Sequence, residues 1–91
     1  MASAKYYMVY VELKETSTNE QLQEKMNLAN DWYRIKPDLW IVYSTSTPSK
    51  WYDRLGSLVK EEGRLFISEL NVNNRQGWMV KGFWEWLKSD K

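Results

Sequence analysis

The chain is 91 residues long, carries 13 basic and 12 acidic residues for a net charge of +1, and contains neither cysteine nor histidine. That length supports one domain, residues 1–91, with a core just adequate to hold it. The missing residue types exclude disulfide frameworks, Cys/His zinc sites, thiolate nucleophiles and Ser-His-Asp chemistry, which leaves carboxylates, Lys, Tyr, Ser or an oxygen-bound hard cation for any catalysis.

The segment "KYYMVYVELK" (5–14) has the β-branched and aromatic density of a strand. Alternation places Tyr7, Val9, Val11 and Leu13 on one face and Tyr6, Met8, Tyr10 and Glu12 on the other. A strand apolar on both faces is central, or has its second face covered by a partner. "ETSTNEQ" then starts a helix, with Ser17 or Thr18 as cap and Glu20 or Gln21 completing a capping box. Leu22, Met26, Ala29 and Tyr33 recur at helical spacing, which predicts about four turns. Pro37 cannot donate to a ladder, so "KPD" separates two short segments. The stronger is the strand 39–45; residues 32–36 are either its partner strand or the frayed end of the first helix.

Thr47 as N-cap, Pro48 at the first helical position and Gly63 as the closing residue delimit a second helix. Its buried stripe is Trp51, Leu55, Leu58 and Val59. "RLFISELNV" (64–72) is another strand and "NNRQG" a turn cluster. "GWMVKGFWEWLKSD" reads as a short helix with Val80, Phe83, Trp84 and Leu87 on one face; Gly82 leaves a strand at 78–80 as the alternative.

Strands alternating with helices imply crossovers onto one sheet, and the compact solution is an α+β, ferredoxin-like β-α-β-β-α-β sandwich with an additional C-terminal helix. Two helices on one sheet face leave Tyr6, Met8 and Tyr10 on the other, an apolar patch that a monomer does not leave bare. Six Trp, six Tyr and two Phe also exceed what a minimal core uses, so some rings are expected at a contact surface. The expectation is a homodimer, with the terminal helix covering the remainder. No signal-peptide pattern precedes Lys5 and no apolar run reaches spanning length, so the expected location is cytoplasmic, without a membrane partner.

The pattern resembles the CRISPR-associated small adaptation subunits and their ferredoxin-like relatives, the SinR-like proteins and the virulence-associated ribonucleases. "YYMVYVELK" resembles their opening strand, and "PDLWIVYST" with "TPSKWYDRLGSLVKEEG" the second strand and capped helix of the SinR-like set. "RLFISEL" and "GFWEWLKSD" resemble the strand and Trp-containing helix that end it. The resemblance covers nearly the whole chain. It implies a homodimer built through sheet faces and edges, with nucleic-acid involvement. In the nuclease members a strand-end Asp from each subunit helps hold a divalent cation. The matching position is Glu12, where "VEL" stands in place of Tyr-Asp-Leu.

Glu12 is therefore a candidate catalytic and Mg²⁺-binding residue, or else a strand end surfacing into water beside Lys14. A lone glutamate is a sparse ligand set for a tight octahedral cation, which favours a protein with no cofactor. Arg34, Lys36, Lys50 and Arg54, beside Trp32 and Tyr33, are the candidate DNA- or RNA-binding set, since cations attract phosphates and rings stack bases. Asp31, Asp38 and Asp53 offset that charge, and the overall balance argues against strong electrostatic capture. Tyr6, Met8, Tyr10, Trp84 and Trp86 are the candidate interface residues for a second copy or another protein. The expected function is a non-catalytic dimeric scaffold binding nucleic acid or a protein. The alternatives are a metal-dependent nuclease using Glu12, or a phage or mobile-element protein that blocks or bridges another protein.

Overall fold

The computed structural model describes residues 3–91. Strand β1 (Lys5–Glu12) is followed by helix α1 (Asn19–Met26), the hairpin of β2 (Asp31–Lys36) and β3 (Leu39–Ser44), helix α2 (Pro48–Val59), strand β4 (Arg64–Leu70) and helix α3 (Lys81–Lys88). The result is an α+β fold whose sheet has the order β2-β3-β1-β4 with every neighbouring pair antiparallel. β1 is central, as its two apolar faces predict. Among the described residues no helix is long and apolar enough to cross a membrane.

The β1 side chains Tyr7, Val9 and Val11, with Trp40 and Val42 of β3, form one core with Leu22 and Met26 of α1 and Trp51, Leu55, Leu58 and Val59 of α2. Full burial stabilises each aliphatic side chain by roughly 1.5–3 kcal/mol. Trp51 carries a polar group into this core and donates from Nε1 to Ser44 Oγ at 3.2 Å. The opposite sheet face holds a second core, in which Ile41 meets Phe83 and Leu87 of α3. Tyr6, Met8, Tyr33, Ile35, Trp84 and Trp86 pack around it. The terminal helix thus covers part of the second face, and the chain reaches it through the irregular segment 71–80, where the alternative strand does not form.

Both predicted N-caps are present. Thr18 Oγ1 accepts from Gln21 N at 3.2 Å while Gln21 Oε1 accepts from Thr18 N at 2.8 Å, and Thr47 Oγ1 accepts from Lys50 N at 3.2 Å. Helix α1 is half the expected length. Leu28 N donates to Lys25 O at 3.1 Å and Ala29 N to Met26 O at 3.0 Å, bonds that tighten the chain into a turn. Asn30 then joins β3, its N–H donating to Tyr43 O at 2.9 Å and its Oδ1 accepting from Thr45 N at 3.3 Å. The chain leaves the helix at Asn27 because asparagines favour turns, and Trp32, Tyr33 and Ile35 favour a strand. Tyr33 therefore lies on β2, and residues 32–36 pair with β3 in a register that shifts between Arg34 and Lys36.

Gly63 does not close α2 as predicted; the helix ends at Val59, with Lys60 N bonded to Gly56 O at 3.0 Å. Gly63 is required for another reason. A β-carbon there would overlap the Glu12 carbonyl oxygen and lie 3.1 Å from Val59 O. β4 stops at Leu70 rather than 72, and Val80, expected on the buried face of α3, is its 67% exposed N-cap residue.

Candidate functional site

Glu12 ends β1 on the second sheet face and pairs in register with Arg64, the first residue of β4. The Tyr10 hydroxyl, two residues earlier on the same face, donates to Glu12 Oε2, and Arg64 Nε lies 3.8 Å from Glu12 Oε1. Both carboxylate oxygens thus have partners from the same sheet. The bond to Glu12 raises the Tyr10 pKa above the ordinary phenol value, because a phenol that donates to a carboxylate holds its proton more tightly; desolvation and the Glu12 and Asp38 charges act in the same direction, and Arg64 opposes them. Among the described residues no three His, Cys, Asp or Glu side chains converge as a metal-binding group. Mg²⁺ calls for octahedral oxygen ligation, and one carboxylate with a guanidinium beside it does not supply that. Within a single chain these residues do not fit the cation.

Glu69, the carboxylate of β4, pairs with Tyr7 near the start of β1 and makes a 3.5 Å ion pair with Lys5. It lies at the far end of β1 from Glu12.

The six residues of the candidate nucleic-acid set are distributed over the fold. Trp32 and Arg34 share the helix-side face of the sheet with Trp40, while Tyr33, between them, points to the α3 side. The Trp32 ring packs tilted against Trp40, with centroids 4.7 Å apart, and donates from Nε1 to Asn27 Oδ1 at 3.0 Å. The Arg34 guanidinium lies 4.6 Å over the Trp40 ring, and its Nη2 donates to Pro37 O at 2.9 Å. Arg54 lies 4.7 Å over the Trp51 ring. Arg34 and Arg54 are therefore engaged with indoles, whereas Lys36 and Lys50 are exposed. Trp32 and Tyr33 do not form one stacking platform, since adjacent strand residues face opposite sides.

The candidate interface residues do converge. Tyr6, Met8, Trp84 and Trp86 pack in the second core, and Tyr10 shares their sheet face at the Glu12 end of β1. Trp86 packs against the sheet, 6.0 Å from Tyr6 and 5.6 Å from Tyr33. The Lys91 ammonium lies 4.5 Å over its ring and 3.7 Å from Asp31. The Lys91 side chain is only 5% exposed, although its terminal main chain is at the surface, and it ties the end of α3 to the start of β2. Burial pushes the Tyr6 phenol pKa up, helped by Tyr43 and by the Asp31 charge and opposed by Arg75. Trp84 turns the other way, 5.3 Å from Phe83, and lines a cavity of about 340 Å³ between α3 and the segment 71–79.

Three exposed apolar side chains belong to this side of the molecule and were not among the expected site residues. Phe66, opposite Tyr10 on β4, is 56% exposed; Val80 precedes α3; Trp78 is 99% exposed. A signal for Trp78 does exist in "QGWMVKG", where flanking glycines leave the tryptophan no regular element that could bury it. No known protein family, curated protein or solved structure matches this chain.

Proposed function

We propose that this chain is a homodimeric ferredoxin-like scaffold that works by binding a protein partner rather than by catalysis. The all-antiparallel order β2-β3-β1-β4, with α1 and α2 on one face, supports the ferredoxin-like reading. Kinship with the CRISPR-adaptation-like superfamily rests on the sequence resemblance, and the position of Glu12 at the end of the opening strand is compatible with it.

The observation that carries the binding reading is the apolar exposure left on the second side of the sheet, at Phe66, Trp78 and Val80. Aromatic groups of this kind concentrate binding energy when a partner desolvates them. A protein partner suits these features better than nucleic acid, because Arg34 and Arg54 are held over indoles and the net charge is +1. The test has two arms. Light scattering of the purified chain should give twice the 11.0 kDa chain mass. Titration with labelled single- and double-stranded DNA and RNA should show only weak binding. A monomer at every concentration overturns the dimer, and tight binding that falls steeply with salt replaces the protein partner with nucleic acid.

A further inference from the structure

We infer that the dimer forms by reciprocal insertion: Trp78 of each copy enters the cavity between α3 and the segment 71–79 of the other. This inference rests on the homodimer reading above and names its contact; it assigns Trp78 to the second copy and leaves Phe66 as the exposed ring for another protein.

The cavity and the ring are neighbours in the chain. Gly77 and Met79, on either side of Trp78, both line the cavity, yet the indole between them is 99% exposed. In this structure the tryptophan does not fill the adjacent hole in its own chain. In a two-fold contact, however, residue i of one copy meets residue j of the other and the reverse. A knob and a hole side by side on one segment meet that condition with the axis near Gly77. The main chain there is open, since a β-carbon on Gly77 would have no neighbour within 4 Å.

Size and chemistry agree. The volume of about 340 Å³ lies at the small end of the range for ligand pockets, and its walls include Ile35, Leu70, Met79, Phe83, Trp84 and Leu87. Phe83 and Trp84 offer edge and face contacts to an incoming indole, and the Met79 thioether favours an aromatic neighbour. Arg75 is the one charged residue lining the cavity. Its Nη1 donates to Val72 O at 3.1 Å, and among the described residues it forms no ion pair. The negative face of an inserted indole gives that guanidinium the complementary partner it lacks.

An aromatic ring buries roughly 150–250 Å², so two rings and two matching sets of walls bury about 600–1,000 Å². A specific dimer buries about 1,200 Å² in total, so roughly 200–600 Å² more must come from side chains around the two insertions, such as the exposed Val80 next to Met79 in the chain. A single exposed cavity filled from elsewhere would leave the Trp78 ring in water; reciprocal insertion buries both features at once.

Sedimentation over a dilution series tests this with the full-length wild type, Trp78→Ala and Phe66→Ser. Trp78→Ala should raise the dimer dissociation constant by about 10³-fold, because each dimer loses two hot-spot rings at roughly 30-fold each. Its circular dichroism and melting temperature, compared under conditions where both proteins are monomeric, should not change, since the ring makes no packing contribution within its own chain. Phe66→Ser should remain dimeric. If the wild type is dimeric and Trp78→Ala dissociates no more readily, the insertion is wrong while the dimer stands. If Phe66→Ser alone dissociates, β4 forms the interface instead. A wild type that is monomeric throughout removes both the inference and the reading beneath it.

Discussion

Two glycines, one in α2 and one just before β4, should respond to alanine in opposite directions. A β-carbon on Gly63 would overlap the Glu12 carbonyl oxygen, with the Glu12 carbonyl carbon at 2.9 Å and Val59 O at 3.1 Å. All three obstacles are backbone atoms, so none can rotate away. To admit the methyl group, β4 must move off β1 at the Glu12–Arg64 rung, and the 2.7 Å bond from Gly63 N to Val59 O must stretch. Two or three backbone hydrogen bonds at about 1 kcal/mol each are weakened. Alanine also restricts the unfolded chain, worth about 0.4–1 kcal/mol in the other direction. The net loss for Gly63→Ala is about 2 kcal/mol, equivalent to roughly 8–16 °C in melting temperature for a domain of this size. Gly56 lies inside α2, where a β-carbon meets only the flexible end of Lys60 at 3.6 Å. Gly56→Ala should stabilise by about 0.8–1 kcal/mol through helix propensity. Urea unfolding followed by circular dichroism, at one fixed protein concentration, measures both. A Gly63→Ala protein within about 0.5 kcal/mol of wild type would refute the close approach of β4 to β1 on which this reasoning depends.

The buried polar contact and the strand-end phenol give two further outcomes. Ser44→Ala leaves the enclosed Trp51 Nε1 without an acceptor and should cost about 1–3 kcal/mol by urea unfolding; no loss would show that the indole finds another partner. The Tyr10 pKa is raised in the fold, so the stability it contributes is complete below about pH 10 and is lost as pH rises through the folded value. Alkaline titration followed by phenolate absorbance should show two groups ionising late in the wild type, Tyr6 and Tyr10. Glu12→Gln should move the Tyr10 ionisation earlier and leave that of Tyr6, and an unchanged profile would separate Tyr10 from Glu12.

What the sequence makes legible here is local chemistry with a fixed period. The two N-caps, Thr18 and Thr47, are readable because a hydroxyl before a helix has a known acceptor role. The centrality of β1 is readable because Tyr7, Val9 and Val11 alternate with Tyr6, Met8 and Tyr10. The end of α1 misleads because Tyr33 falls on the helical period of Leu22 and Met26 by coincidence; its real environment, beside Phe83 and Trp86, is distant in sequence. Gly63 misleads for a similar reason, since its constraint comes from Glu12 rather than from the helix it follows. The grouping of Trp32 with Tyr33 also depends on proximity in the chain, which a strand converts into opposite faces. The partners of Glu12 are only partly legible: Tyr10 lies two residues away on the same face, but Arg64 arrives through the β1–β4 register. The cavity beside Trp78 needs α3 and the segment 71–79 together, and no local pattern specifies that packing.

The claim that the chain binds rather than cleaves is tested most directly at Glu12. The measurement is cleavage of RNA and DNA in Mg²⁺ or Mn²⁺ by the wild type and by Glu12→Ala at matched purity. With the carboxylate held by Tyr10 and Arg64, the expected result is no cleavage that distinguishes the two proteins. Cleavage by the wild type that disappears in Glu12→Ala would contradict the account and make Glu12 the catalytic metal ligand.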